Sequence, residues 1–441
     1  MALELIDRLK DSRLVALIQQ FFGVQINYDE HSQEIGYSKT SQNNQKEYIH
    51  KKVDWNDKNH VLINEKINKS EEHRQFNGCT KQTECLEQED KSKKKHELTV
   101  TTVGNPCYTI TNLFWYYLFS FGTELGDEVF YSTFIPFLFW NVDAAVGRRV
   151  VLVWATVMST GQVLKDVICW PRPACPPAVR LQNKWSQEYG MPSTHAMVGL
   201  SIPFSIIFFT MNKYIYSFSL GCIIASLWCI LVSTSRIYLG MHTVLDVLAG
   251  LLLAIALMIP LVPLVDITNS YIITNFWILS ILIAVSIAAI VYYPNPDKWT
   301  PTRSDTAMVV SVTAGIHTGA WLNYFTGLLN ASQSSPPYYI TWPVYFMFGH
   351  MFLRTVLGFS GVLITKALCK SLTYITVCAI LGTNWKELVK SQDFSRNPNK
   401  VFVDLVYKYV ACFMIGVNTV YLFPLMFNMI GIERPAFYTE M

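Results

Sequence analysis

Polar and apolar positions divide this chain into two unequal parts. From residue 31 to 98 it is rich in Lys, Glu, Gln, Asn and Ser with almost no apolar periodicity. Such a segment cannot bury enough apolar surface to offset the entropy of ordering, so it predicts disorder. Ahead of it, Leu14 to Val24 (LVALIQQFFGV) predicts a short amphipathic helix lying on a membrane or protein surface. After Asn105 one apolar stretch follows another, near 107–121, 129–146, 149–165, 195–211, 214–233, 243–264, 271–292, 307–329, 339–364 and 404–430. These read as membrane helices. The stretch 366–384 fits either a further span or a surface helix, so the expected total is nine to eleven.

The expected fold is therefore all-α, a polytopic membrane protein with about ten transmembrane helices. Residues 1–104 form a polar, largely disordered cytosolic extension without a secretory signal peptide. Residues 105–265 form a membrane core, and 266–441 add further transmembrane helices. Composition agrees: 51% of residues are hydrophobic and 15% charged, against about 25% charged in soluble domains. A net charge of +3 does not argue for a nucleic-acid partner. Five of the cysteines, Cys222, Cys229, Cys369, Cys378 and Cys412, lie in or beside apolar segments and read as small hydrophobes. Cys79 and Cys85 in the extension do not have zinc-site spacing.

Three polar islands interrupt the apolar part: Lys165 to Pro173 (KDVICWPRP), Pro192 to His195 (PSTH) and Ser235 to Asp246 (SRIYLGMHTVLD). Charge at a membrane border is costly to desolvate, which marks such clusters as sites. In the first, Pro171 and Pro173 keep Arg172 out of a regular helix. Its forked donors match phosphate oxygens, and Lys165 adds a compact charge. In the second, Ser193 suits an N-cap, and the amides of a helix start attract anions. His195 then lies in the first turn. In the third, His242 and Asp246 stand four apart, on one face if the segment is helical, so that Asp246 orients His242 and leaves its other nitrogen a lone pair. Arg236 is a third cation. Singly, each island has an ordinary explanation: interfacial cations, a capping serine, a buried His–Asp pair. Jointly they compose a phosphoryl-transfer site in which cations spread the charge of the transferring group, with no metal required.

No apolar run separates the first island from the second, and two separate the second from the third, so all three are expected on one membrane face. The export-signal-free extension and Arg148, Arg149 and Lys213 on the opposite side place the extension in the cytosol and the islands in a lumen. The cations within the islands oppose that tendency. By the same counting the sequons Asn68-Lys-Ser70 and Asn330-Ala-Ser332 are cytosolic.

The motif residues resemble the type 2 phosphatidic acid phosphatase superfamily. Its pattern is Lys, six residues, Arg-Pro; then Pro-Ser-x-His; then Ser-Arg, five residues, His, three residues, Asp. Lys165, Arg172, Pro173, Pro192, Ser193, His195, Ser235, Arg236, His242 and Asp246 match every fixed position. Thr194 replaces the Gly of many members, as in the sphingosine 1-phosphate phosphatases, which the stretches Phe121 to Gly126, Val146 to Arg149, Lys165 to Ala174, Glu188 to Met197 and Trp299 to Thr306 also resemble. The similarity is strong from about 110 to 310 and absent over most of the first 100 residues.

The resemblance implies a six-helix phosphatase core in the endoplasmic reticulum membrane. It implies His242 as nucleophile forming a phosphohistidine, Asp246 steadying it, and His195 as general acid and base. Lys165, Arg172, Ser193, Thr194 and Arg236 would hold the phosphate. The implied substrate is a sphingoid base phosphate, and the only expected partners are this lipid and the membrane, without cofactor, metal or nucleic acid. Two other readings remain: a broader phosphatase acting on phosphatidic or lysophosphatidic acid, and a non-catalytic transporter or scaffold.

Overall fold

The computed structural model describes residues 2–26, 98–100, 108–294, 296, 300–329, 336–340, 344–383, 388, 398–434 and 436–440. The disorder expected over 31–98 falls almost wholly outside them, as do Cys79, Cys85, Trp299 and both sequons.

Helices dominate. After α1 (Ala2–Leu9) and α2 (Ser12–Phe21) come α3 (Leu113–Glu124), α4 (Glu128–Asn141), α5 (Ala144–Ile168), α6 (Thr194–Thr210), α7 (Phe218–Tyr238) and α8 (Val244–Thr274). Then follow α9 (Phe276–Val291), α10 (Thr302–Phe325), α11 (Tyr345–Ile380) and α12 (Pro398–Val417), which continues through a π-turn into Phe423–Ile430. Among the described residues, α5, α7, α8, α11 and the 398–430 helix are long and apolar enough to cross a membrane. Helices α6 and α9 are shorter and equally apolar. The chain is a multi-pass membrane protein.

Burial separates core helices from lipid-facing ones. The most apolar window of α5 is 61% buried, that of α8 only 22%. Helix α5 is thus central, with Val150, Val151 and Trp154 in the main core cluster beside Trp140, Ile202 and Phe423. Asp143 starts it by accepting from the amides of Ala145 and Val146 at 2.9 and 3.0 Å. Cys169, in a left-handed conformation, ends it just before the two prolines that cannot continue a helix. Cys169 and Cys175 are free thiols.

The later helices pack directly on this core. Asp166 on α5 accepts from Tyr293 and Thr300, each at 3.1 Å, and from Thr302. Thr306 on α10 donates to Gln162 at 2.6 Å. Gly319 on α10 faces the carbonyl of Val417, an approach of backbones that only small residues permit in membrane helix pairs. Residues 366–384 are not a separate helix; most of them extend α11, which runs unbroken for 36 residues.

Two short sheets flank the bundle. One has order β1 (Val24–Ile26), β3 (Tyr108–Ile110), β2 (Leu98–Val100), antiparallel, with Val24 and Leu98 both opposite Ile110. The other pairs β4 (Tyr214–Ile215) with β5 (Tyr338–Tyr339).

The amphipathic N-terminal stretch is a helix, as expected, but its position corrects the expected sidedness. Buried Gln19 on α2 donates to the carbonyls of Val179 and Tyr238 at 2.6 and 2.8 Å and accepts from the amide of Val179 at 2.9 Å. Ser12 accepts from the amide of Ala174 at 2.9 Å. Ala174 and Val179 follow the first island and Tyr238 lies within the third, so the N-terminal helices share the island end of the bundle rather than lying across the membrane from it. The reason is α3. Hydropathy reads 107–121 as a span, yet α3 has 12 residues, about 18 Å at 1.5 Å per residue, short of a hydrocarbon core of about 30 Å. Its Phe119 packs on Phe22 and Tyr238 with ring centroids 4.9 and 4.8 Å apart, and Thr123 in its last turn accepts from Arg236 at 2.5 Å. Both of its ends lie at the island end of the bundle.

Candidate active site

Four helix ends meet at the islands. Lys165 and Arg236 lie in the last turns of α5 and α7, where cations complement the helix dipole. The N-termini of α6 and α8 face the same place, with Ser193 and Thr243 at their N-cap positions. The amide of Ser193 donates to the carbonyl of Asp246 at 3.0 Å, tying the two starts together. Gly240 makes the turn inside the third island, between the end of α7 and His242, at φ +67° while lying against the carbonyl of Val179, a conformation and a clearance that a side chain would spoil.

The structure brings every predicted site residue into this region. Lys165 donates to Glu188 at 2.6 Å and to the Thr194 hydroxyl at 2.9 Å. Arg172 donates through Nε to the carbonyl of Glu188 and through Nη1 to that of Met241, both at 2.8 Å. The arginine of the first island thus braces the residue before His242. Arg236 is held by Thr123 and by Gln182 at 3.0 Å. Lys165, Ser193, Thr194, His195, Arg236, His242 and Asp246 are all buried.

What these groups lack is as informative as what they have. Arg172 Nη2, Ser193 Oγ, His195 Nε2, Arg236 Nε and Nη2, both ring nitrogens of His242 and Asp246 Oδ1 are buried without a hydrogen-bond partner. Buried polar groups normally find one. Arginine nitrogens and a hydroxyl are what an oxyanion satisfies.

Two expectations need correction. Ser193 occupies the N-cap position, but its hydroxyl makes no capping bond and is left free. His242 and Asp246 do not share a helix face, because α8 starts only at Val244. Asp246 instead closes a capping box: its Oδ2 accepts from the Thr243 amide at 2.8 Å, and its own amide donates to Thr243 Oγ1 at 3.2 Å. That oxygen lies 3.8 Å from His242 Nδ1, an electrostatic contact beyond hydrogen-bond range. Catalytic hydrogen bonds are often long without substrate and tighten with it.

Electrostatics set the protonation states. Burial, with Arg172, Arg236 and Lys165 nearby, holds the His242 pKa well below the ordinary histidine value, so its imidazole is neutral at pH 7. Arg172, lowered by burial to about 10, stays charged. Burial pushes Glu188 up, but Lys165 and Arg172 outweigh it and hold the carboxyl below its usual value.

Glu188 is the residue to which sequence reading assigned no role. It stands four positions before Pro192 within a stretch singled out only for its similarity, and a buried lysine one island away was the signal that it had a use. Its Oε2 also lies 3.8 Å from Arg172 Nη2. Among the described residues no group of three His, Cys, Asp or Glu side chains could hold a metal ion.

Residues 147–270 match the PAP2 superfamily model. The chain is 38% identical over 325 residues to sphingosine-1-phosphate phosphatase 1 of Rattus norvegicus, covering 74% of each chain. It is 35% identical over 333 residues to sphingosine-1-phosphate phosphatase 2 of Homo sapiens, covering 74% of this chain and 80% of that one. With a dihydrosphingosine 1-phosphate phosphatase of Schizosaccharomyces pombe it shares 28% identity over 61% of this chain and 64% of that one. No solved structure matches the chain. Its length of shared sequence with these relatives, and the PAP2 match over the three islands, show that it belongs to the sphingosine-1-phosphate phosphatase family of the PAP2 superfamily.

Proposed function

We propose that this protein hydrolyses the phosphate monoester of sphingosine 1-phosphate and related sphingoid base phosphates through a phosphohistidine intermediate. One observation carries the reading. Buried arginine nitrogens, a serine hydroxyl and two imidazoles, each lacking a partner, face one region where two helix N-termini meet. The names of the relatives supply the substrate class.

In this mechanism Asp246 lies on the Nδ1 side of His242, so Nε2 attacks phosphorus. The N–P bond forms as the P–O bond to the lipid breaks, and His195 gives its proton to the leaving alkoxide. Water then attacks the phosphohistidine, His195 takes its proton, and the N–P bond breaks to release phosphate and neutral His242. Lys165, Arg172, Arg236, the Ser193 hydroxyl and the Thr194 amide spread the charge of the transferring group, while the Ser193 amide stays on the carbonyl of Asp246. Thr194 also orients Lys165 through its hydroxyl.

The finer localisation belongs to the same proposal: the endoplasmic reticulum membrane, with the site in the lumen. Arg148, Arg149 and Lys213 at the far end of the bundle support a cytosolic far face. The docked N-terminal helices then accompany the site to the lumen. Residues 105–265 supply the catalytic core, and 266–441 enclose it.

The test is phosphate release from sphingosine 1-phosphate in metal-free buffer. His242→Ala abolishes turnover while the protein still inserts. His195→Ala loses about 10²–10⁴-fold, the usual contribution of one acid–base group. Near-normal turnover by His242→Ala removes the nucleophile. Comparable kcat/KM on phosphatidic acid replaces the substrate assignment with the broader lipid phosphatase.

A further inference from the structure

A cavity of about 820 Å³ opens from the site, with Glu188, Thr194 and His195 at one end. Its size falls within the range of small-molecule pockets. Helices α4, α5, α10, α11 and α12 wall it, so the helices after residue 300 supply much of its lining. On α10 the lining residues are Asp305, Met308, Val309, Val312 and Ile316, one helix face that runs about 16 Å away from the site at 1.5 Å per residue. Beyond Asp305 that face is wholly apolar.

Three carboxylates line the cavity, and they differ in what neutralises them. Glu188 is paired with Lys165. Glu128 lies 3.5 Å from Lys184. Asp305 has no cation within ion-pair distance and no side-chain hydrogen bond among the described residues. Lys408, across the cavity, is engaged with Asp404 at 3.3 Å and with Ser304 at 2.6 Å. A carboxylate in an apolar-walled cavity normally has a positive partner. This one stands at the junction between the phosphate-binding region and an apolar channel. A sphingoid base phosphate carries its ammonium at the same junction, between phosphate and alkyl chain.

We propose that Asp305 binds the ammonium of the substrate and that the α10 face beyond it, closed over by α11 and α12, holds its single alkyl chain. The inference rests on the phosphatase reading above and adds the residues that select among lipid phosphates. A phosphoglyceride lacking the amine leaves Asp305 in the cavity wall without a positive partner.

The test compares full-length wild type with Asp305→Asn and Val312→Trp in detergent micelles. The substrates are sphingosine 1-phosphate, an alkyl phosphate of equal chain length without the amine, and a short-chain alkyl phosphate. Asp305→Asn should raise KM for sphingosine 1-phosphate about tenfold or more, the usual effect of losing a hydrogen bond to a charged group, while both amine-free substrates stay within about twofold. Val312→Trp, which fills the channel, should depress kcat/KM for both long-chain substrates and spare the short one. Equal loss on all three substrates, or no loss on any, overturns the inference while leaving the phosphatase assignment intact. If wild type turns over none of them, the phosphatase reading itself fails and this inference with it. Turnover of the amine-free substrates by Asp305→Asn reports its folding independently.

Discussion

Glu188→Gln tests the electrostatic logic of the site most directly. In the wild type, Lys165 Nζ lies 2.6 Å from Glu188 Oε2, with the two side chains 1% and 8% exposed. Removing one member of a buried pair leaves an uncompensated charge and typically costs about 3–5 kcal/mol. Glutamine keeps an acceptor for Lys165, and the bond from Arg172 to the backbone carbonyl of residue 188 is untouched. The expected loss is therefore at the lower end, about 3 kcal/mol. An oxyanion in the site restores the missing negative charge beside Lys165 and Arg172, so the variant should bind orthovanadate more tightly than the wild type does. A tenfold tighter Kd corresponds to about 1.4 kcal/mol, which linkage converts into extra stabilisation once the anion is well above both Kd values. The assay is thermal unfolding of detergent-solubilised protein across a vanadate titration. The variant should start less stable and recover part of the gap as the anion saturates. An unchanged Tm, or the same vanadate shift in both proteins, would refute the claim that Glu188 occupies the charge that substrate phosphate later shares.

Two further predictions concern sidedness and pH. Single cysteines placed on α2 and on the 183–187 loop should react with an impermeant thiol reagent from the same side of sealed microsomes, because Gln19 fastens α2 to the island end. Labelling from opposite sides would mean that α2 does not dock there. The folded chain holds His242 neutral, whereas the unfolded chain protonates it near pH 6.5. Below that pH the unfolded state binds the extra proton, so stability falls as pH drops, by up to about 1.4 kcal/mol per pH unit for one group. His242→Asn should reduce that slope in unfolding measurements between pH 6.5 and 5, and an unchanged slope would place a charged imidazole in the native site.

Hydropathy and motif spacing determined a good deal on their own. They gave the all-α membrane class, since a run of apolar residues can satisfy its backbone in lipid only as a helix. They gave the three islands as one site, since spans alternate sides and their number between islands can be counted. The grouping of Lys165, Arg172, His195, Arg236 and His242 as candidates for one site was legible because phosphate demands donors of those types. Folding alone decided three other matters. Helix α3 is as apolar as a span but too short, and its aromatic face packs beside α7 rather than crossing, so the N-terminal helices share the island end. Asp246 meets His242 across a helix start rather than along a helix face, because the capping box with Thr243 outcompetes continuation of the helix through residue 242. Glu188 and Asp305 acquire their meaning only from long-range neighbours: one faces a lysine 23 positions earlier, the other a cavity closed by α11 and α12, far along the chain. Sequence periodicity reports which face of a segment is apolar; it holds no record of which distant segment covers that face.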